Sequence, residues 1–316
     1  MPQKIIYCSF CQGKRFRYRH NIDVKNVSKL APVFQLTNDE FERLFSFNII
    51  ECKDCGLLLT DRVLTSSETN KFYNYRTYKD KKFTETYEKY YNSLLHFINA
   101  FKTIQGKKFV EIGSGYGFLL NLARKRGAIP IGFEIDKNLV DYAKNKFNLQ
   151  IINEDFLNYN HPYENFYDII ILSAVIEHLT NPIEYLKRIY ALLKPRGVFY
   201  FDIPETCFFT KYILRHRYYG YVLGHYIFPS KKLINQKLNE IGFTILTFKT
   251  VKLTLNRIFN FIPKLVKNKV KKTQIPIERD LPDEFYESHG KKSLQQLKFL
   301  PLLPLSLGYS RILCQK

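Results

Sequence analysis

Apolar and polar positions alternate along the second half of the chain in a rhythm that predicts strand, loop and helix in turn. Lys108-Phe109-Val110-Glu111-Ile112 is a short apolar run broken by one acid, the pattern of a strand covered on both faces. Gly113-Ser114-Gly115-Tyr116-Gly117 interrupts it, and apolar residues at helical spacing over 118–126 predict a helix that Gly127 ends. A second strand is predicted over 129–133, ending at Glu134, then a helix over 137–147, a third strand over 149–153 and a fourth over 167–172. Residues 183–193 predict a helix closed by Lys194-Pro195-Arg196-Gly197, and 198–203 a fifth strand. A helix over 230–242, a strand over 243–250 and a last strand over 307–314 complete the series. This alternation predicts an α/β fold, doubly wound, with a mostly parallel sheet and helices on both faces.

The first third reads differently. Cys8-Ser9-Phe10-Cys11 and Cys52-Lys53-Asp54-Cys55 are two CxxC pairs, each followed closely by glycine, with forty residues between Cys11 and Cys52. Each pair presents two sulfurs from one tight turn, the glycine supplying positive φ there, and four thiolates suit a tetrahedral zinc ion. The spacing therefore predicts a structural zinc ribbon on Cys8, Cys11, Cys52 and Cys55. A redox pair needs only one such motif, and disulfides are disfavoured in a chain read as lacking a secretion signal. Cys207 and Cys314 read as buried small hydrophobes. Between the pairs, Phe34, Leu36 and the apolar positions from Phe41 to Ile50 predict a small β-rich core that the metal supplements. Residues 68–105 are rich in tyrosine and free of glycine and proline, and predict one or two amphipathic helices. Their tyrosines either pack plainly or wall a substrate pocket. The expected organisation is a ribbon module over 1–67, a helical bridge or lid over 68–105, and a catalytic domain over 106–316.

Composition narrows the class. The chain has 316 residues, 45% hydrophobic and 25% charged, which excludes wholesale disorder. No apolar run reaches the length of a membrane-spanning helix, and Met1-Pro2-Gln3-Lys4 opens no signal peptide, so the expected location is cytoplasmic. Lys plus Arg is 49 against 29 acids, a formal charge of +20. Abundant Lys, Asn, Ile and Tyr point to compositional bias, so the charge singles out no partner. An insertion over about 251–300 separates the last two predicted strands. Its first part, 251–272, is basic and apolar in alternation with no acid. Such a segment caps the substrate cleft, or lies on an anionic membrane at its inner face, or contacts RNA.

The glycine loop is not the dinucleotide fingerprint, because Phe118 stands where that pattern needs its third glycine, and no P-loop lysine follows. Glu111-x-Gly113-x-Gly115-x-Gly117 instead resembles the first motif of class I S-adenosylmethionine-dependent methyltransferases. Asp168-Ile169-Ile170-Ile171-Leu172-Ser173-Ala174-Val175-Ile176-Glu177-His178-Leu179 is similar to that family's fourth strand and the turn after it. Asn181-Pro182 and Leu193-Lys194-Pro195-x-Gly197 extend the match to about two-thirds of the chain. With its Cys pairs, Cys55-Gly56-Leu57 and tyrosines, the whole chain resembles bacterial zinc-ribbon methyltransferases of small molecules and sugars.

The resemblance implies a Rossmann-like, mostly parallel seven-stranded sheet that holds S-adenosylmethionine. Gly113, Ser114, Gly115 and Gly117 would let the backbone approach its methionine portion, with Glu111 beneath at the amino group. Glu134 would accept both ribose hydroxyls, Ile135 and Phe156 would flank the adenine, Asp155 would bind its amino group, and Ser173 would close the methionine end. Methyl transfer is an in-line displacement in which alignment counts most, and a base is needed only for an acceptor of high pKa. His178, with Glu177 beside it, and His225 are the candidates; Tyr221 and Glu205 come next. Each histidine serves equally as base, positioning group or structural residue. The sugar C-methyltransferases with this ribbon carry a glutamate before the last histidine, where this chain has Gly224, so oxygen or nitrogen methylation is expected ahead of carbon. The acceptor expected is a sugar, nucleotide sugar or related metabolite. The alternatives are an RNA methyltransferase, although no Asn/Asp-Pro-Pro-Tyr follows the fourth strand, and a cofactor-binding adaptor without turnover.

Overall fold

The computed structural model describes residues 3–22, 37–65, 68–69, 81–161, 163–204, 221, 224–250 and 309–316. Phe34, Leu36, Glu205, Cys207, the tyrosines of 70–80 and the basic insertion lie outside the described residues.

The N-terminal region is built from β1 (Gln3–Lys4), β2 (Phe16–Ile22), α1 (Asn38–Phe45), β3 (Phe47–Cys52), β4 (Leu58–Thr60) and β5 (Arg62–Val63). The core expected to be β-rich is therefore partly helical. Thr37 and Glu40 form a reciprocal capping box, and Phe41, Leu44 and Phe45 are the buried face of the helix it starts. β2, β3 and β4 pair antiparallel in sequence order.

α2 (Lys81–Asn99) leads into the large domain, with Leu94, Leu95 and Ile98 buried. Then follow β6 (Lys108–Ile112), α3 (Phe118–Lys125), β7 (Ile129–Phe133), α4 (Lys137–Phe147), β8 (Ile151–Ile152) and β9 (Tyr167–Leu172). After a 3-10 turn at Ile176–His178 come α5 (Pro182–Leu192), β10 (Leu193–Pro204), β11 (Ile227–Phe228), α6 (Lys231–Ile241), β12 (Thr244–Thr250) and β13 (Tyr309–Gln315). The sheet order is β12-β13-β10-β9-β6-β7-β8. β6 to β10 run parallel, and β13 is antiparallel to both neighbours.

Strand residues serve the two faces alternately. Ile170, Leu172, Phe199 and Phe201 pack with α5 and α6, whereas Ile169, Ile171, Val198 and Tyr200 pack with α2 and α3. This period-two division of an unbroken apolar run is what a sheet covered on both sides requires. Two boundaries shift. Lys194-Pro195-Arg196-Gly197, read as a helix cap, lies within β10, where a register break between Leu193 and Val198 and a positive φ of 59° at Arg196 absorb the turn. The third strand is only Ile151–Ile152.

β11 belongs to the other sheet. It adds to β4, so the small sheet has the order β11-β4-β3-β2, and Ile227 and Phe228 pair with Leu59 and Leu58. A segment from late in the chain thus completes the sheet of the cysteine module.

Candidate active site

In a doubly wound sheet the ligand crevice opens at the carboxyl ends of the strands where the strand order reverses, here between β6 and β9. The glycine loop after β6 sits at that point. Gly113 and Ser114 donate backbone N–H to the Phe133 carbonyl at 2.8 and 3.0 Å, fixing the loop against β7.

All three glycines have positive φ, 70° at Gly113, 51° at Gly115 and 73° at Gly117. Their reasons differ, and only one fits the expectation of room for a ligand. A Cβ on Gly113 would lie 2.6 Å from Val175 Cγ2, and one on Gly117 would lie 2.7 Å from Leu149 Cδ1. A Cβ on Gly115 would meet nothing within 4 Å, so this glycine alone faces open space. Buried polar atoms lie in the loop and in the strand that leads into it. Glu111 Oε2 and Ser114 Oγ are buried with no hydrogen-bond partner. Burial first, then the nearby Glu134 carboxylate, holds the Glu111 carboxyl well above the usual range. Glu134 closes the loop from the other side, its Oε2 accepting from Gly115 N at 2.8 Å and its Oε1 from Asp136 N at 3.0 Å. Its own carboxyl is raised, chiefly by burial. Ile135 is 64% exposed beside it. An open cradle, two orphaned polar atoms and a strand-end carboxylate fit S-adenosylmethionine, whose ammonium, ribose and adenine need those partners.

Three other predicted residues are placed differently from expectation. Phe156 is 1% exposed, with its ring against Phe133 and His161, so its side chain belongs to the core and not to an adenine face. Asp155 spends its carboxylate within the protein, accepting from Leu157 N at 2.8 Å and from Tyr185 Oη at 2.5 Å. Ser173 donates to Asp202 Oδ2 at 3.0 Å. Asp202, which sequence reasoning passed over, is the centre of a buried cluster. It also accepts from Tyr90 Oη at 2.5 Å, Tyr200 Oη at 3.0 Å and Ala174 N at 2.6 Å. Its signal was present: an acid in the run Phe199-Tyr200-Phe201-Asp202-Ile203, as telling as Glu111 in its own strand.

The candidate catalytic residues come together. Glu177 and His178 lie on the turn after β9 and His225 just before β11. Glu177 is fully buried, neither carboxylate oxygen has a hydrogen-bond partner, and burial holds its carboxyl well above the usual range. His225 Nε2 lies 3.9 Å from Glu177 Oε1, and the His178 and His225 rings meet edge to face at 4.7 Å. His178 Nδ1 is 2.8 Å from the Gly224 carbonyl oxygen, which only accepts, so Nδ1 is the donor of that bond. Backbone bonds hold His225 in place from two sides. Tyr226 N donates to the Glu177 carbonyl at 2.7 Å, and Thr60 N donates to the Tyr226 carbonyl at 3.0 Å. Tyr221 is fully buried, with its ring against Phe228.

The four cysteines also converge. Cys8 and Cys55 sulfurs are 3.6 Å apart, Cys11 and Cys52 sulfurs 3.5 Å, and all four lie within 4.8 Å of one another. Tetrahedral Zn–S bonds of about 2.3 Å imply S–S separations close to these. Backbone N–H groups of Phe10, Gly13 and Leu57 point at the sulfurs, as zinc knuckles require. The Cys8 thiol is pushed down to about 5, first by the Cys55 thiol and then, against burial, by the Phe10 and Cys11 amides. In the first knuckle the positive φ falls on Gln12, at 62°, not on the glycine. The Asp54 side chain lies where a Cβ on Gly13 would be. In the second knuckle Gly56 takes the left-handed turn, at 76°.

The seven-stranded topology and the loop after its first strand define the class I S-adenosylmethionine-dependent methyltransferase fold. A family profile described as a methyltransferase domain matches residues 83–247, just over half of the chain, and the chain belongs to that family. Among curated relatives, the ubiquinone biosynthesis O-methyltransferase of Coxiella burnetii is 31% identical over 121 residues, 34% of this chain and 51% of that protein. A ribosomal RNA small subunit methyltransferase A of Mesomycoplasma hyopneumoniae is 46% identical over 57 residues, 17% of this chain and 22% of that protein. The chain thus spans about half, or less, of the length of these relatives. Among solved structures, a SAM-dependent methyltransferase from Archaeoglobus fulgidus is 19% identical with a TM-score of 0.47, covering 75% of this chain and 97% of its own. Magnesium protoporphyrin IX methyltransferase from Synechocystis with bound SAH is 13% identical, TM-score 0.47, covering 79% and 94%.

Proposed function

We propose that this protein transfers a methyl group from S-adenosylmethionine to a hydroxyl oxygen of a small molecule, with a sugar, nucleotide sugar or related metabolite as the acceptor class. The observation that carries the reading is the meeting of Glu177, His178 and His225 at the turn after β9, whose Val175 packs against Gly113. An acceptor nitrogen with a free lone pair needs alignment alone, whereas a hydroxyl must lose a proton of high pKa. Two imidazoles, one with its tautomer set by the Gly224 carbonyl, beside a buried carboxyl suit proton removal. The name of the Coxiella burnetii relative, an O-methyltransferase, supports the same choice.

When bound, S-adenosylmethionine supplies an electrophilic methyl carbon. Glu111 and Ser114 hold its amino-acid end, Glu134 engages the ribose hydroxyls, and exposed Ile135 covers the adenine. The glycine loop and the turn after β9 orient donor and acceptor so that the attack is in line. Glu177, His178 and His225 lower the cost of removing the acceptor's proton. Cys8, Cys11, Cys52 and Cys55 hold a structural zinc, and the module over 1–67 fixes the acceptor side.

Titration calorimetry with S-adenosylmethionine, beside a Glu134→Ala control, tests the first half. Tight binding by the wild type and loss in the variant is the expected result; no binding by the folded protein sinks the reading. A panel of hydroxyl acceptors tests the second half: His178→Ala lowers kcat by ~100-fold or more with cofactor affinity unchanged. Methylation of ribosomal RNA fragments in preference to every small hydroxyl compound would overturn the acceptor class.

A further inference from the structure

We infer that Glu177, His178 and His225 form a second metal site, separate from the ribbon cysteines, that takes a divalent cation of the zinc type on the acceptor side of the crevice. The inference rests on the hydroxyl-methylation reading and deepens it by making the three residues serve as ligands of a cation rather than as proton acceptors. Each residue offers one ligand atom, and the three atoms lie within 4.8 Å of one another. Zn–N and Zn–O bonds of about 2.1 Å place neighbouring ligand atoms about 3.4 Å apart, so side-chain rotations of about an ångström close the set.

Three observations point to a cation. Glu177 is fully buried, and both of its carboxylate oxygens lack a hydrogen-bond partner. A carboxyl buried in this way is costly to leave unsatisfied, and a cation held between it and His225 Nε2, 3.9 Å away, would satisfy it and favour its ionised form. His178 Nδ1 donates to the Gly224 carbonyl at 2.8 Å, which fixes the orientation of its ring. A backbone carbonyl on the far nitrogen is how metal-ligating imidazoles are set in tautomer and orientation. Finally, the third ligand is delivered by a rigid device. His225 sits between Gly224, at φ 87°, and Tyr226, whose backbone is bonded to Glu177 on one side and to Thr60 on the other.

Two imidazoles and one carboxylate suit zinc-like ions, and among the described residues these three ligands leave a coordination position open. That position takes the acceptor oxygen. The cation lowers the hydroxyl's pKa, the proton leaves to water, and the resulting alkoxide attacks the methyl carbon as its bond to sulfur breaks. The products are the methyl ether, the neutral thioether form of the cofactor and one proton, so atoms and charge balance.

The test uses the full chain with its ribbon zinc in place, dialysed free of other metal and titrated with cobalt(II) alone. The expected result is uptake of about one further cobalt per chain, with visible absorption bands that lack the intense thiolate-to-metal transitions of cobalt in a cysteine site. Glu177→Gln and His225→Asn each weaken that uptake about tenfold or more while S-adenosylmethionine affinity is kept. No uptake by the folded wild-type protein, or uptake unchanged in both variants, overturns the proposal. If the wild type takes no cobalt yet methylates a hydroxyl with dependence on His178, the metal site falls and the function stands. If cobalt binds but no hydroxyl acceptor is methylated, the site stands and the function falls.

Discussion

At Glu111 a buried carboxyl beside a second carboxylate waits with its proton, because burial and then the nearby charge of Glu134 both disfavour ionisation. A cofactor ammonium brought next to it reverses the sign, lowering the pKa on binding. Binding therefore releases a proton over the interval between the two pKa values, and S-adenosylmethionine affinity rises as pH rises through it. Calorimetry in two buffers of different ionisation heat reads this proton directly, and Glu111→Gln abolishes it. Asp202 poses the opposite problem. Its carboxylate satisfies Tyr90, Tyr200, Ser173 and the Ala174 amide at once. Asp202→Ala strands those buried donors and costs about 3 kcal/mol or more in urea unfolding, whereas Tyr90→Phe costs about 1 kcal/mol. A cost for Asp202→Ala no larger than for Tyr90→Phe would show that the cluster holds nothing together.

Among the elements, the glycine loop separates folding from binding. Gly113→Ala drives a methyl into Val175, and at φ 70° it is strained as well, so it destabilises by about 1–3 kcal/mol. Gly115→Ala has the strain without the collision, costs about 1–2 kcal/mol of stability, and loses cofactor affinity because its methyl enters the crevice. Melting curves with and without S-adenosylmethionine distinguish the two. The strands and helices of the sheet were legible because each is a local apolar run with its own stop signal. α1 contradicts the β-rich reading of that core: its phenylalanines invite a strand when taken alone, and the capping box at Thr37 and Glu40 was the signal that reading left unused. Other features were not written locally. Phe156 follows the third strand where an adenine neighbour is expected, and only the packing of Phe133 and His161 turns its ring inward. The pairing of Ile227 with Leu59 joins positions far apart in the chain, and no periodicity announces it.

Across the whole molecule, that pairing ties two regions into one device. The cysteine module reaches the crevice through Leu58, Leu59 and Thr60, which grip the segment carrying His225. A metal-free ribbon loses the tetrahedral tie between its two knuckles and, with it, the support for β4. Cys52→Ser, or prolonged chelation, is therefore expected to cut kcat severely while leaving S-adenosylmethionine affinity nearly unchanged, since the Gly113–Gly117 loop belongs to the other sheet. Equal loss of both would mean general unfolding and would count against the coupling. Among the described residues no helix is long and apolar enough to cross a membrane.

The shared strand has one more consequence, which runs from the crevice back to the cysteines. Energetic coupling between two sites is reciprocal, so whatever the ribbon does for the acceptor, the acceptor does for the ribbon. A ligand that locks His225 against Glu177 also locks β11 onto β4 and slows the opening through which the cysteine-held ion escapes. The rate at which a colourimetric chelator strips that ion then becomes a reporter of acceptor occupancy. Candidate acceptors can be ranked by how long they delay the colour, without a single turnover being measured.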